Sequence, residues 1–189
     1  MNQRQGVVLY GPPAVGKDTV TAVLSKIDDR YAQFQRLKIG SGKTLGYRMG
    51  TPKQLAQLRD VGDVVYENSR YGNTYLIDRL GLDAAVAAGV PVVHLGQVAG
   101  VHALVTGYPA VWTTVLLWCS REVTAERSEQ RGDADTPARL AAWDATRDDL
   151  EAHQGMAWDL TIETAAIGPE QAARRIDQLV KERAGAAPT

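Results

Sequence analysis

Apolar and polar positions along the chain follow two alternating periods. Short apolar runs, which are typical of buried strands, occupy residues 6–10, 34–38, 91–95, 111–119 and 160–163. Amphipathic stretches with helical spacing lie between them, at residues 17–27, 78–88, 122–130, 140–152 and 169–183. Repeated alternation of strand and helix predicts an α/β fold, in which helices flank a parallel sheet.

The segment from 36 to 77 interrupts this alternation. It is rich in glycine and loop residues, and strand patterns at 63–67 and 71–77 predict a short hairpin. Thr51 and Pro52 suit the N-cap and the first position of a short helix. We expect this segment to form a small insertion over the carboxyl edge of the sheet, where ligands of such folds bind.

Size and composition restrict the class of protein. The chain has 189 residues, 44% of them hydrophobic and 23% charged, which predicts a single globular domain over residues 1–189. With a net charge of −1 and no basic block, we expect no nucleic-acid partner. Cys119 is the one cysteine, so an internal disulfide is excluded. The apolar runs are too short for a membrane span and no signal peptide precedes the first strand, so we expect a cytoplasmic protein with no membrane partner.

The first strand pattern leads directly into a phosphate-binding loop. Residues 11–17 match GxxxxGK, with glycines where the backbone turns tightly and Lys17 placed to reach the β- and γ-phosphates of a nucleotide. Asp18 stands where Ser or Thr is usual, and either it or Thr19 could hold Mg²⁺ through water. The motif predicts a P-loop NTPase-type sheet that binds ATP through Gly11, Pro12, Pro13, Ala14, Val15, Gly16, Lys17, Asp18 and Thr19.

A second cluster of positive charge lies in the helical segment 122–150. Its arginines flank a stretch in which Gly132 and Pro137 break the helices, as in a closing lid, and they are Arg127, Arg131, Arg139 and Arg147. We expect Lys17, Arg131 and Arg139 to stabilise a transferred phosphoryl group. The alternative is a solvated helical face, whose arginines pair with Glu126, Glu129, Asp144 and Asp148.

These features together resemble the guanylate kinase family. The resemblance rests on GPPAVGKDTV at the phosphate loop, on Tyr71-Gly72-Asn73, and on ERSEQRG, RLAAW and WDLTIE in the second half of the chain. The sequence is also similar to ribose 1,5-bisphosphate phosphokinases, which carry GKDS in the loop. Guanylate kinases have an acidic motif after the strand at 91–95, whereas this chain has Gln97 there.

The resemblance implies an ATP- and Mg²⁺-dependent kinase that transfers the γ-phosphoryl group to a small anionic acceptor, either a nucleoside monophosphate or a sugar phosphate. It implies that the 36–77 insertion binds this acceptor and that the protein is a monomer or a homodimer. The residues expected to contact the acceptor are Lys38, Lys43, Arg48, Glu67, Arg70, Tyr71 and Gln97.

Two alternatives remain at this point. A hydroxyl acceptor would require a carboxylate base, for which Asp63, Glu67 and Asp78 are the candidates. A nucleotide-binding module without turnover would keep the fold but not the reaction.

Overall fold

The computed structural model describes residues 3–42, 44–70, 72–130, 132 and 135–185. The elements in chain order are β1 (Gln5–Tyr10), α1 (Lys17–Ile27), β2 (Tyr31–Gln33), β3 (Arg36–Ile39), β4 (Tyr47–Gly50), α2 (Pro52–Asp60), β5 (Val64–Arg70), β6 (Asn73–Asp78), α3 (Arg79–Ala88), β7 (Val90–Leu95), α4 (Val98–Gly107), β8 (Val111–Trp118), α5 (Arg121–Gln130), α6 (Thr136–Ala152), β9 (Leu160–Glu163) and α7 (Pro169–Gly185).

The main sheet has five parallel strands in the order β2-β7-β1-β8-β9. Side chains of β1 alternate between its two faces: Val7 and Leu9 pack with α1 and α7, whereas Val8 and Tyr10 pack with α3 and α4. Burial on both faces explains why the strand is a continuous apolar run. The predicted α/β fold with a parallel sheet flanked by helices is confirmed.

A second sheet is formed by the insertion, with strand order β4-β3-β6-β5. Its β5–β6 hairpin is antiparallel, as the sequence predicts. Helix α2 covers one face through an apolar cluster of Leu37, Leu55, Leu58 and Leu76. The helix begins as expected, because Thr51 accepts a hydrogen bond from the amide of Gln54 and Pro52 occupies the first turn.

The strand predicted at 34–38 corresponds mainly to β3 of the second sheet, whereas the main sheet has the unpredicted strand β2 just before it. The chain leaves the main sheet after the three-residue strand β2 and enters the second sheet at β3. Between them, the amide of Phe34 still donates to the carbonyl of Val92 at 2.9 Å. The apolar pattern at 34–38 predicts one strand and not a transfer between sheets, because a chain that passes from one sheet to the other remains extended throughout. Strand β4 was not predicted, since its residues follow a glycine-rich loop.

The predicted lid consists of α5 and α6. Helix α6 begins at Thr136, so Pro137 lies in its first turn and starts the helix instead of breaking it. The middle of α6 is fixed to the main sheet: Trp143 is buried, donates to the carbonyl of Cys119 at 2.9 Å, and packs on Trp118. The segment around Trp143 is therefore held against the end of β8. In the described part of the chain, no helix is long and apolar enough to cross a membrane.

Candidate functional site

The phosphate loop joins the buried end of β1 to the first turn of α1. Gly11 has φ +152°, and a Cβ there would lie 2.2 Å from the carbonyl oxygen of Leu117 on the neighbouring strand. Gly16 has φ +105° and precedes α1 as its N-cap. Both conformations favour glycine, which explains the spacing of the motif. The loop therefore presents the positive end of α1 towards the carboxyl edge of the sheet.

Lys17 folds back across the loop. Its Nζ donates to the carbonyl oxygens of Gly11 at 2.6 Å and Pro12 at 2.9 Å. Burial lowers the pKa of Lys17 to about 8. The ammonium group is thus held at the mouth of the loop by carbonyls that phosphate oxygens can replace.

One cavity, of about 420 Å³, lies on the side of the loop that faces α7 and α5; we call it the donor cavity. Gly16, Thr19 and Arg127 are among the residues that line it. The Arg127 guanidinium donates to Thr164 Oγ1 at 3.0 Å and to the Thr164 carbonyl at 2.7 Å, and it approaches the loop carbonyl of Ala14 at 3.4 Å. Arg127 therefore joins the lid, the loop and the turn after β9 around this cavity.

A second cavity, of about 480 Å³, lies on the opposite side of the loop, between the two sheets; we call it the acceptor cavity. Lys17 and Asp18 line it from the loop, and Arg36, Tyr47 and Arg70 line it from the second sheet. A smaller cavity of about 180 Å³ shares Arg36, Tyr47 and Arg70 with it and continues along the second sheet. This smaller cavity, which we call the distal lobe, is also lined by Tyr66, Asn68, Tyr75, Leu95, Gly96 and Gln97.

Asp18 and His94 face each other at the acceptor cavity. His94 Nδ1 lies 3.5 Å from a carboxylate oxygen of Asp18. Thr21 donates to the Lys17 carbonyl, so its hydroxyl accepts from His94 Nε2 at 2.8 Å, which leaves the lone pair on Nδ1. Burial and the nearby Lys17 lower the pKa of His94 to about 4, so the imidazole is neutral near pH 7.

The second sheet turns two cations of β3 towards this side. Arg36 lies 5.2 Å from the Tyr75 ring, and the buried Lys38 lies 5.6 Å from the Tyr47 ring and 5.9 Å from that of Tyr75. Lys38 also donates to the carbonyl of Ser41 at 2.6 Å, so this predicted acceptor contact serves the sheet itself. Sequence reasoning missed Arg36. The alternation of Arg36, Leu37 and Lys38 was the available signal, because an apolar residue between two cations places both on one strand face.

Two predicted acceptor contacts, Arg48 and Glu67, lie on the other face of the second sheet. Arg48 is opposite Leu37 and Glu67 is opposite Leu76, and both leucines pack under α2. Arg48 forms an ion pair with the buried Asp78, and Glu67 pairs with Arg59 of α2. These contacts correct the expectation: the two-residue period of the strands directs both side chains away from the cavities.

The other predicted residues fall into three groups. Arg70 lines the acceptor cavity and the distal lobe, and Gln97 lines the distal lobe. Arg139 lies in the first turn of α6 and lines neither cavity, while Arg147 pairs with Asp148 at 2.8 Å on a solvated face, as in the alternative interpretation of the cluster. Three predicted residues lie outside the described part of the chain, namely Lys43, Tyr71 and Arg131.

The candidate bases Asp63 and Asp78 have local structural partners. Asp78 caps α3 by accepting from the amide of Gly81 at 2.9 Å, and Asp63 accepts from the amide of Leu80 at 3.4 Å. Neither lines the acceptor cavity or the distal lobe. Among the described residues, Asp18 is the one acid that does.

The site fits ATP and Mg²⁺ in different ways. Loop amides, the start of α1, Lys17 and a cavity of nucleoside size suit a nucleotide. No cluster of three His, Cys, Asp or Glu side chains among the described residues could hold a metal alone. The Asp18 carboxylate is exposed beside Lys17, which suits Mg²⁺ that is bound mainly by phosphates and water.

A family model described as chloramphenicol phosphotransferase-like protein matches residues 65–181, well over half of the chain. The chain belongs to this chloramphenicol phosphotransferase-like family. The phosphate loop precedes the matched segment, so the loop geometry is independent support for nucleotide binding by this family member. A comparison with curated protein sequences gives no significant match.

Solved structures of two proteins have a similar fold, and a third superposes less well. A guanylate kinase from Anaplasma phagocytophilum superposes with a TM-score of 0.64 at 15% identity, over 99% of this chain and 89% of that one. A protein named APE1195 gives 0.51 at 16% identity, over 97% and 98% of the two chains. A shikimate kinase from Acinetobacter baumannii gives 0.45 at 16% identity, over 96% of each chain. The chloramphenicol phosphotransferase-like chain therefore has the fold of the P-loop kinases, as its motifs predicted.

Proposed function

We propose that the protein transfers the γ-phosphoryl group of ATP to a small anionic acceptor. The observation that supports this most strongly is the position of the phosphate loop between two cavities, since Gly16 lines one and Lys17 lines the other. One cavity suits a nucleoside, and the other is lined by Arg36 and Arg70 opposite the loop. An acceptor bound by these arginines would face the end of the donor polyphosphate, which is the arrangement that in-line transfer requires.

In this mechanism the residues mainly position groups and stabilise charge. Lys17 and the loop amides hold the β- and γ-phosphates, and Thr19, which lines the donor cavity, contacts the polyphosphate nearer to the nucleoside. Asp18 would hold Mg²⁺ through water, and the ion when bound would neutralise charge on the phosphates. From the lid, Arg127 lines the donor cavity and contributes positive charge there. Arg131 and Arg139 are the further lid cations that the sequence predicts.

The distal lobe favours a hydroxyl-bearing acceptor over one with an aromatic base. The Tyr75 ring already contacts Arg36 and Lys38, and the Tyr66 ring packs against the backbone of Gly100. Asn68 also lines the distal lobe, and a carboxamide there can bond to a hydroxyl group of the acceptor. We therefore favour a sugar phosphate, with nucleoside monophosphates as the second class.

A hydroxyl as the attacking group is the second candidate chemistry. The observation that favours it is the carboxylate of Asp18, which lines the acceptor cavity and is 87% exposed. A hydroxyl needs a base, whereas a phosphate oxygen is already ionised near neutral pH. Asp18 would then accept the proton of the hydroxyl as the bond to phosphorus forms.

The proposed function is tested by following γ-labelled ATP with a panel of ribose phosphates, nucleoside monophosphates and nucleosides. We expect ribose phosphates to stimulate turnover most and to become labelled. Lys17→Ala should abolish transfer and weaken binding of Mg·AMP-PNP at least tenfold, whereas Lys26→Ala, at an exposed position of the same helix, should change neither. Absence of stimulation by every acceptor, together with unchanged nucleotide binding in Lys17→Ala, would instead indicate a protein without this activity.

The two roles of Asp18 are separated by Asp18→Asn assayed over a range of Mg²⁺ concentrations. If Asp18 acts through the metal, the variant needs more Mg²⁺ but recovers most of its kcat at saturation. If Asp18 is the base, kcat stays at least 100-fold reduced at every Mg²⁺ concentration.

A further inference from the structure

Asp149, in the last turn of α6, contacts two other segments that border the site. Its Oδ2 accepts a hydrogen bond from the Tyr10 hydroxyl at 2.7 Å and another from the backbone amide of Val98 at 2.7 Å. Tyr10 is the residue immediately before the phosphate loop, and Val98 is the first residue of α4. One carboxylate oxygen therefore joins the lid helix to the donor loop and to the segment that follows β7.

The start of α4 depends on this carboxylate. Gln97 is its N-cap residue, but the Gln97 side chain makes no capping bond and instead accepts from the Tyr66 hydroxyl at the distal lobe. Val98 is buried, so its amide would lack a partner if Asp149 were removed. Asp149 thus supplies from α6 the cap and the negative charge that a helix N-terminus favours, and Gln97 remains available for the distal lobe.

The hydrogen bond from Tyr10 to Asp149 also fixes the position of a buried group. Tyr10 is fully buried, its ring packs on Trp158 with centroids 5.0 Å apart, and its hydroxyl has Asp149 as its close partner. Burial and the hydrogen bond to Asp149 raise the pKa of Tyr10, so the hydroxyl remains a donor. One turn earlier on α6, Thr146 lines the acceptor cavity.

We propose that Asp149 is a positioning residue that holds the phosphate loop, the 96–98 segment and α6 in the arrangement that places the loop between the two cavities. The effect of Asp149 on ligand binding rests on the proposed function, because this part of the proposal assumes that the two cavities bind donor and acceptor. The carboxylate contacts neither ligand in this arrangement and acts through Tyr10 and Val98.

The test compares Asp149→Ala with Asp149→Asn, which keeps an oxygen able to accept both bonds. The control is Asp148→Ala, since Asp148 is 64% exposed and pairs with Arg147 on the surface. Hydrogen exchange at Val98 and at residues 10–17 should quicken at least tenfold in Asp149→Ala and about twofold or less in Asp149→Asn and Asp148→Ala. Amides of β8 should not change, because a positioning role is local whereas general destabilisation raises exchange throughout.

Binding supplies the second measurement. Affinity for Mg·AMP-PNP should fall about tenfold in Asp149→Ala and recover in Asp149→Asn. Unchanged exchange at Val98, or an equal rise in β8, would overturn the proposal. If Asp149→Ala does not fold, Tyr10→Phe takes its place: it removes one bond, and faster exchange confined to residues 10–17 is the supporting result. If wild type fails to bind Mg·AMP-PNP, the proposed function is lost, but the exchange comparison still decides whether Asp149 positions these segments.

Discussion

At the scale of single residues, the direction of a side chain decides whether a cation of the insertion lines a cavity or forms a structural ion pair. Arg36 and Arg48 lie on neighbouring strands, yet Arg36 lines the acceptor cavity and Arg48 pairs with Asp78 beneath α3. The spacing of GxxxxGK made the position of Lys17 predictable, because its hydrogen-bond partners among the described residues, Gly11 and Pro12, lie within the loop. Arg36 and Arg48 could not be separated in this way, since the face of a strand depends on its register with distant partners.

Asp78→Ala tests the structural assignment of this ion pair. The substitution removes the cap of α3 and leaves Arg48 without its carboxylate, but Arg48 is 36% exposed and can turn to water. We expect a loss of about 2–3 kcal/mol in the free energy of unfolding, measured by urea denaturation. Nucleotide affinity should be unchanged. A loss of Mg·AMP-PNP binding in a folded variant would show that our assignment is wrong.

At the scale of elements, the second sheet packs against α4 at a glycine. A Cβ on Gly100 of α4 would lie 2.7 Å from the ring of Tyr66, whose hydroxyl bonds to Gln97. The sequence predicted the hairpin and α3 well because their turn and cap signals are local. It did not predict β4 or this docking surface, because both depend on residues that are distant along the chain.

Gly100→Ala is expected to displace Tyr66 while leaving the protein folded. The helix gains about 1 kcal/mol from alanine, and the forced movement of the ring costs about 1–3 kcal/mol, so stability should change by less than about 2 kcal/mol. The acceptor KM should rise several-fold and the ATP KM should stay the same. Gly107→Ala, in the same helix with its nearest contact at 3.3 Å, is the matched control and should leave both KM values unchanged. An unaltered acceptor KM in Gly100→Ala would show that the distal lobe takes no part in acceptor binding.

At the scale of the whole molecule, a parallel sheet and a mixed sheet meet at the carboxyl edge of the parallel one. Five parallel strands, of which the alternating periodicity predicted β1, β7, β8 and β9, place the phosphate loop at their carboxyl ends, and the mixed second sheet faces it across the acceptor cavity. Asp149 then connects α6 to both the loop and the 96–98 segment. The sequence predicted the donor half because it is contiguous. The acceptor half is assembled from β3, β4, β5 and β7, whose arrangement only the tertiary structure reveals.

The most direct test of this two-cavity account is a comparison of steady-state kinetics in Arg36→Ala and Arg127→Ala, using ATP and the best acceptor of the panel. Arg36 lines only the acceptor side and Arg127 only the donor side among the cavities described above. Arg36→Ala should raise the acceptor KM at least tenfold with the ATP KM within about twofold of wild type, and Arg127→Ala should show the reverse. The account would be contradicted if Arg36→Ala weakened ATP alone, or if both variants affected both substrates equally.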